Sequence, residues 1–175
     1  MVKIFLLVFL ICNTASATFY AGVMNNSWQD AVPVTYRDGG GNVITAYALT
    51  TFSTLSVGGG YEGAWGQRWR YTADLYAHTG TADIHKLIGT TSPRKNATSM
   101  WLTSKLNYRQ SKTFNYGLQL VVNSIQMADV GSASSMGLLV DLEFEMHESL
   151  RLIQAFGTMN DSGTIAYSIG LQKYF

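Results

Sequence analysis

The chain has 175 residues, of which 47% are apolar and 13% charged, and its formal net charge is +1. That length suits one domain with a sizeable core, and the charge balance leaves no footprint for a nucleic-acid partner. The charged share is about half that of an ordinary soluble domain, and 17 glycines beside 2 prolines do not make a disordered or low-complexity chain.

The N-terminus reads MVKIFLLVFLICNTASATFY. Lys3 supplies a positive charge, Ile4 to Cys12 an apolar run, and Ala15-Ser16-Ala17 a small-x-small cleavage pattern. A secretory signal peptide is expected over residues 1–17, cleaved after Ala17, leaving a single domain over 18–175. An N-terminal membrane anchor is the alternative, but the run is short beside the roughly 20 residues a spanning helix needs. Bulky Ile11 argues against a lipoprotein signal at Cys12. Cys12 is the only cysteine, so the mature chain has no thiol, disulfide or thiolate metal site.

After Thr18 almost nothing has helical period, and several stretches alternate with period two. The first strand is expected over Phe19 to Trp28, its faces ambiguous around Asn25. The second, Tyr47 to Trp65, sets Leu49, Leu55, Val57, Tyr61 and Trp65 against Thr54, Ser56, Gly58, Gly60 and Glu62. Beyond the turn Gly66-Gln67-Arg68, Trp69, Tyr71 and Leu75 alternate with Arg70, Asp74 and His78. The fourth strand sets Met100, Leu102, Leu106 and Tyr108 against Trp101, Thr103, Lys105 and Arg109. The fifth sets Phe114, Tyr116, Leu118, Leu120 and Val122 against Asn115, Gly117, Gln119 and Asn123. The sixth sets Met136, Leu138, Val140, Leu142 and Phe144 against Asp141, Glu143 and Glu145. In the seventh, Leu150 to Met159, Gln154 falls among Leu150, Leu152 and Phe156 on the apolar face, which suggests a bulge. The last sets Ile165, Tyr167, Ile169 and Leu171 against Ser168, Gly170 and Gln172.

The connections alternate in length. Gly66 to Arg68, Gln110 to Thr113 and Met146 to Glu148 are short. Gln29 to Ile44, Ile84 to Ser99 and Met127 to Ser135 are longer, and Asp161 to Gly163 is the exception. Eight antiparallel strands with short turns at one end and longer loops at the other describe an all-β, eight-stranded antiparallel up-and-down transmembrane β-barrel. A soluble ligand-binding barrel also alternates, with its apolar face inward. Three features favour apolar-out. The charge count is low. Arg70, Lys105, Arg109 and Arg151 nearly balance Glu62, Asp74, Asp141, Glu143 and Glu145 on the face that carries Gly, Ser, Thr and Asn. Aromatic residues Tyr61, Trp65, Trp69, Tyr71, Tyr108, Phe114, Tyr116 and Phe144 flank the short turns, as an interfacial girdle does.

Terminal Phe175, preceded by alternating Tyr167, Ile169 and Leu171, resembles the C-terminal assembly signal of bacterial outer-membrane barrels. The hairpin SVGGGYEGAWGQRWRYTADL resembles the small outer-membrane barrels typified by OmpX and the OmpA membrane domain. Lys173 departs from the apolar residue usual in that signal. The resemblance implies a bacterial outer-membrane location, surrounding lipid and lipopolysaccharide, insertion by the barrel-assembly machinery, and both termini in the periplasm.

Little in the sequence suggests catalysis. Gly39 to Gly41 and Gly58 to Gly60 precede no helix, so neither is a phosphate cradle. His78 and His85 fall at one end of the barrel and His147 at the other, so the three cannot share a metal. An outer-membrane deacylase pattern would need His-x-Ser, and here His78 is followed by Thr79. A palmitoyltransferase-like trio would have to be His78, Asp83 and Ser99. The inward charges could line a narrow pore, but an eight-strand bore is filled by its own side chains. No enzyme activity, cofactor or metal is therefore expected. The expected role is structural or a surface interaction with an unidentified partner; a lipid A-modifying enzyme and a narrow pore are the alternatives. Deleting Phe175 should lower the assembled, heat-modifiable fraction in outer membranes more than Lys173→Glu does, because only Phe175 matches the signal; equal assembly would place the signal elsewhere.

Overall fold

The computed structural model describes residues 17–37, 39–85, 94–128, 130–160 and 164–175. Residues 1–16 of the expected signal peptide, Asp38, residues 86–93 of the Ile84–Ser99 connection and the Asp161–Gly163 turn lie outside those residues.

Eight strands follow in order: β1 (Thr18–Arg37), β2 (Val43–Trp65), β3 (Trp69–Ile84), β4 (Arg94–Arg109), β5 (Phe114–Met127), β6 (Gly131–His147), β7 (Leu150–Met159) and β8 (Thr164–Tyr174). Each pairs with the next, and the sheet closes into a barrel. Closure runs antiparallel between β1 and β8, from Tyr20 opposite Tyr174 to Trp28 opposite Ala166. The amide of Phe175 then donates to the carbonyl of Phe19 at 2.9 Å. All eight expected strands are present, and the turns 66–68 and 110–113 fall where the pattern places them.

The ladder is sheared. From Gly63 the pairings lead to Tyr71, Leu106, Leu118, Val140, Phe156, Tyr167 and Ser27, and return to β2 at Ser53, ten residues along the strand. With eight strands this shear tilts them by roughly 40°. Ten residues at about 3.3 Å each then rise about 25 Å, one outer-membrane hydrocarbon thickness.

The strands outrun their sequence pattern. Most of Gln29 to Ile44 is not loop: β1 and β2 pair from Thr18 opposite Glu62 to Arg37 opposite Val43. Likewise β4 begins at Arg94, β5 runs on to Met127 and β6 begins at Gly131. The reason is a change of phase. In β5, Leu118, Leu120 and Val122 face outward, but farther along Ser124 and Gln126 face outward while Ile125 and Met127 are buried. In β2, Leu55 and Val57 are outside, whereas beyond them Ser53 and Thr51 are outside and Phe52 and Ala48 inside. Beyond the lipid band the outer wall turns polar and the interior apolar.

Two local expectations are corrected. No bulge interrupts β7, which pairs without a break from Leu150 opposite Lys173 to Met159 opposite Thr164, so Gln154 stays on the outer face. The irregularity lies in β6, between Glu145 and His147. The turn falls at Glu148-Ser149 rather than over Met146 to Glu148, and with that irregularity it sets Arg151 opposite Glu145, not Glu143.

Glycines shape the wall at two points. Gly66, in the β2–β3 turn, has φ +70, a conformation glycine adopts without strain. At Gly58 a Cβ would fall 2.1 Å from the carbonyl oxygen of Leu75 and 2.7 Å from Tyr76 Cα, so only glycine allows β2 and β3 to approach there. Gly58→Leu should sharply reduce the heat-modifiable folded fraction, while Gly39→Leu, with open space around its Cβ, should leave it unchanged; gel mobility of heated and unheated samples checks both.

Candidate functional site

The lumen is layered. Near the short turns it carries all nine inward charges expected from the sequence, joined in one network. Arg70 and Arg151 both donate to Glu62, the second contact of Arg151 being Nη2 to Oε1 at 3.2 Å. Arg151 also lies 3.4 Å from Glu143 and 3.4 Å from Glu145. Its guanidinium sits over the Tyr174 ring, 4.0 Å from the centroid. Lys105 Nζ lies 3.2 Å from Asp141, 3.8 Å from Glu143 and 4.0 Å from Asp74. Arg109 reaches Glu145 at 3.9 Å. Although Arg151 does not stand opposite Glu143, its long side chain spans the diagonal.

Polar neighbours complete this layer. Tyr20 donates to Asp74, as does Thr103 at 2.9 Å. Asn107 donates to Asp141 at 2.8 Å and Asn115 to Glu143 at 3.2 Å. Gln172 Nε2 donates to Tyr76 Oη at 2.9 Å, and Tyr174 Oη donates to Gln172 Oε1 at 3.2 Å. The sequence reading missed Tyr20 and Tyr174, whose inward parity on β1 and β8 was the available signal; Tyr76 shares the lumen face of β3 with Asp74 and His78, as its alternation places it.

Above the charges lies a mixed layer. Ser168 donates to Asn26 Oδ1 at 2.6 Å, and Asn26 donates to Ser56 at 3.0 Å. His78 packs against Trp101 with ring centroids 4.7 Å apart, and Trp28 meets Trp101 at 5.1 Å and Phe52 at 4.8 Å. The far end is an apolar core of Val32, Val34, Ala82, Ile84, Ile125 and Met127 among others. A polar filling throughout was the expectation; the upper lumen corrects it.

The outer wall bears the expected girdle. Rings run from Trp69 to Tyr108 at 5.2 Å, to Tyr116 at 5.7 Å, to Phe114 at 6.1 Å and on to Phe144 at 5.0 Å. Tyr61 and Tyr71 meet at 6.2 Å, and Trp65 is exposed at the turn. Arg68 donates to Tyr108 Oη at 2.6 Å. Phe19 and Phe175 extend the girdle at the β1–β8 seam, where both rings are exposed. Tyr167, Ile169 and Leu171, with Phe175 the residues of the expected assembly signal, all point outward along β8.

The candidate catalytic trio is not brought together. His78 and Ser99 are buried inside and stand opposite one another on β3 and β4, while Asp83 faces outward with Arg94 at 3.6 Å. His85 bonds Thr51 at 2.6 Å at one end of the barrel, and His147 ends β6 at the other. Among the described residues no group of three or more His, Cys, Asp or Glu side chains is placed to hold a metal.

A closed antiparallel sheet, apolar outside over one bilayer thickness and filled inside, is a transmembrane β-barrel. The fold is shared with the outer membrane protein OprG from Pseudomonas aeruginosa, at 15% identity and TM-score 0.51, covering 92% of this chain and 96% of that one. Neisserial surface protein A matches at 12% identity and TM-score 0.48, covering 91% and 99%. The attachment invasion locus protein Ail of Yersinia pestis matches at 11% and 0.47, covering 92% and 99%. No family model matches the chain, and no curated protein does.

Lys105 is the cation that Asp74 and Asp141 share. Lys105→Met should therefore cost about 3–5 kcal/mol, the scale for breaking a buried pair. Adding Asp141→Asn should recover part of the loss. Urea midpoints in detergent micelles measure both.

Proposed function

We propose that the protein is a non-catalytic bacterial outer-membrane barrel with a closed lumen, which acts at the cell surface through its β1–β2 hairpin. Both termini and the short turns face the periplasm, and the 38–42 connection faces outward. The observation that carries the reading is the hairpin itself. Beyond Trp28 and Thr50 its strands leave the pairings with β8 and β3 and continue as a two-stranded ribbon. Val43 lies ten residues past Ser53 on β2, about 25 Å beyond the lipid band on the same rise.

The ribbon is two-faced. Val32, Val34 and Ala48 are buried toward the lumen, while Val43 and Tyr47 are 62% and 77% exposed on the other side. Apolar groups held out in water in this way mark an interaction surface. The filled lumen supports a barrel that does not conduct solutes, since eight strands leave no aqueous channel once side chains occupy the bore. The inward placement of His78 and Ser99, away from Asp83, supports a non-catalytic role.

The absence of cysteine after Cys12 allows a clean test of orientation. In intact cells a membrane-impermeant maleimide should label Asn42→Cys and spare Gln67→Cys until the periplasm is opened. The reverse pattern would overturn the orientation, porin-sized conductance in planar bilayers the closed lumen, and altered lipid A acylation on overexpression the non-catalytic role.

A further inference from the structure

The apolar band of the outer wall ends at one level. The register row through Tyr71, Leu106, Leu118, Val140, Phe156, Tyr167, Ser27 and Ser53 climbs about 3 Å with each strand at the shear described above. An outward hydroxyl stands eight residues above that row on β3 (Thr79) and β4 (Thr98), six on β5 (Ser124) and β6 (Ser134) and two on β7 (Thr158). On β1 and β2 it is the row residue itself, Ser27 or Ser53. The falling count offsets the climb, so the seven hydroxyls share a level within about 7 Å, roughly one hydrocarbon thickness above the aromatic girdle. At that level β8 presents Ile165. The next outward positions on β1 to β6 are Gln29, Thr51, Thr81, Asn96, Gln126 and Ser132. Neither tier holds an aromatic or charged side chain, and Asp83 and Arg94 above them pair with each other at 3.6 Å. All seven ring residues are exposed, and among the described residues none of their hydroxyls has a hydrogen-bond partner.

Hydroxyl and carboxamide side chains are neutral, and each both donates and accepts. The hydroxyls and amides of a sugar ring have the same dual character. A phosphodiester head group only accepts, and cations set among amphipathic rings suit it better. The lower rim is built in that second way: Arg68 donates to Tyr108, and Lys173 lies over the Phe175 ring, 5.8 Å from its centroid. The two rims thus carry different chemistry for the two faces of a membrane. We propose that the hydroxyl ring and the tier above it form a docking surface for the saccharide head groups of glycolipids at the upper face.

Three observations select this occupant. The ring is level although the strands reach it after different numbers of residues, and a common level is what a planar head-group layer imposes. A wall that met only water would carry charge, since roughly a quarter or more of a soluble surface does, and the two tiers carry none. An aromatic girdle ordinarily marks both interfaces of a membrane barrel. Among the described residues it stands at the lower rim, and hydroxyls and carboxamides take its place at the upper one. The absence of cations from both tiers favours the sugar of the head group over a phosphate.

The inference rests on the membrane placement proposed above, and one experiment separates the two. Purified chain is reconstituted into phosphatidylcholine bilayers, and insertion is scored by protease protection and heat-modifiable mobility. Trace spin-labelled lipids, a neutral diglycosyl diacylglycerol or phosphatidylglycerol with the same labelled acyl chain, then report by electron spin resonance how much of each is immobilised at the barrel wall. Inserted wild type should favour the glycolipid by about threefold, within the range one net hydrogen bond supplies. Replacing every ring serine by alanine and every ring threonine by valine (Ser27→Ala, Thr79→Val and likewise around the ring) should remove the preference without loss of insertion. Ser104→Ala, inside the apolar band, should keep it. Inserted wild type that binds both lipids equally would overturn the docking surface alone, as would a preference that survives in the ring variant or is lost in Ser104→Ala. Wild type that fails to insert would overturn the membrane placement and the docking surface with it.

Discussion

Lipid offers a backbone amide nothing to bond to, so a sheet that enters a bilayer must use up its own edges. Here β1 and β8 meet antiparallel and leave no edge over the length they share. The ten-residue shear of that closure tilts the strands and sets the width of the bore. An eight-strand bore is one that side chains fill, so inward side chains pack or pair. The charge network, Gly58 beside Tyr76 and the aromatic cluster around His78 all answer that one requirement.

Much of this could be read from the amino-acid order, because alternation reports which residues share a face. Where one face meets hydrocarbon, the contrast is strong, and β2 to β6 and β8 were assigned to their faces correctly there. The reading failed where the surroundings change along a strand. Ser124 and Gln126 look like loop residues to a rule that expects an apolar outer face, yet they continue β5 beyond the lipid, as Ser53 and Thr51 carry the polar outer wall along β2. A single strand thus obeys membrane patterning at one end and soluble patterning at the other, and no one template covers both.

The network was legible as a set but not in its connections. Parity placed Glu62, Lys105 and Arg151 on the lumen face. It could not reveal that the turn slides to Glu148-Ser149 and that β6 is irregular by one residue, which together set Arg151 opposite Glu145, because neither changes the composition of the strand. Nor could it find Tyr20 and Tyr174, since an aromatic near a barrel rim suits the girdle as well as the interior; only the positions of their partners Asp74, Glu62 and Gln172 decide. The same limit applies to Gln154, whose place on the outer face resembled an error in the pattern until the unbroken β7–β8 register showed it to be deliberate wall.

The layering of the lumen also bears on how such a chain gets into a bilayer. A barrel inserting from its short-turn side must carry the opposite ends of its hairpins through hydrocarbon, where each charge near the midplane is costly. The nine network charges sit beside the short turns, the farthest along their strands being Asp74, five residues above Trp69, and Asp141, six above His147. What travels ahead of them within the bore is chiefly Trp28, Phe52, Ile84, Ile125 and Met127. The gradient that packs the finished interior therefore also lowers the work of translocation, and it favours one direction of entry over the other.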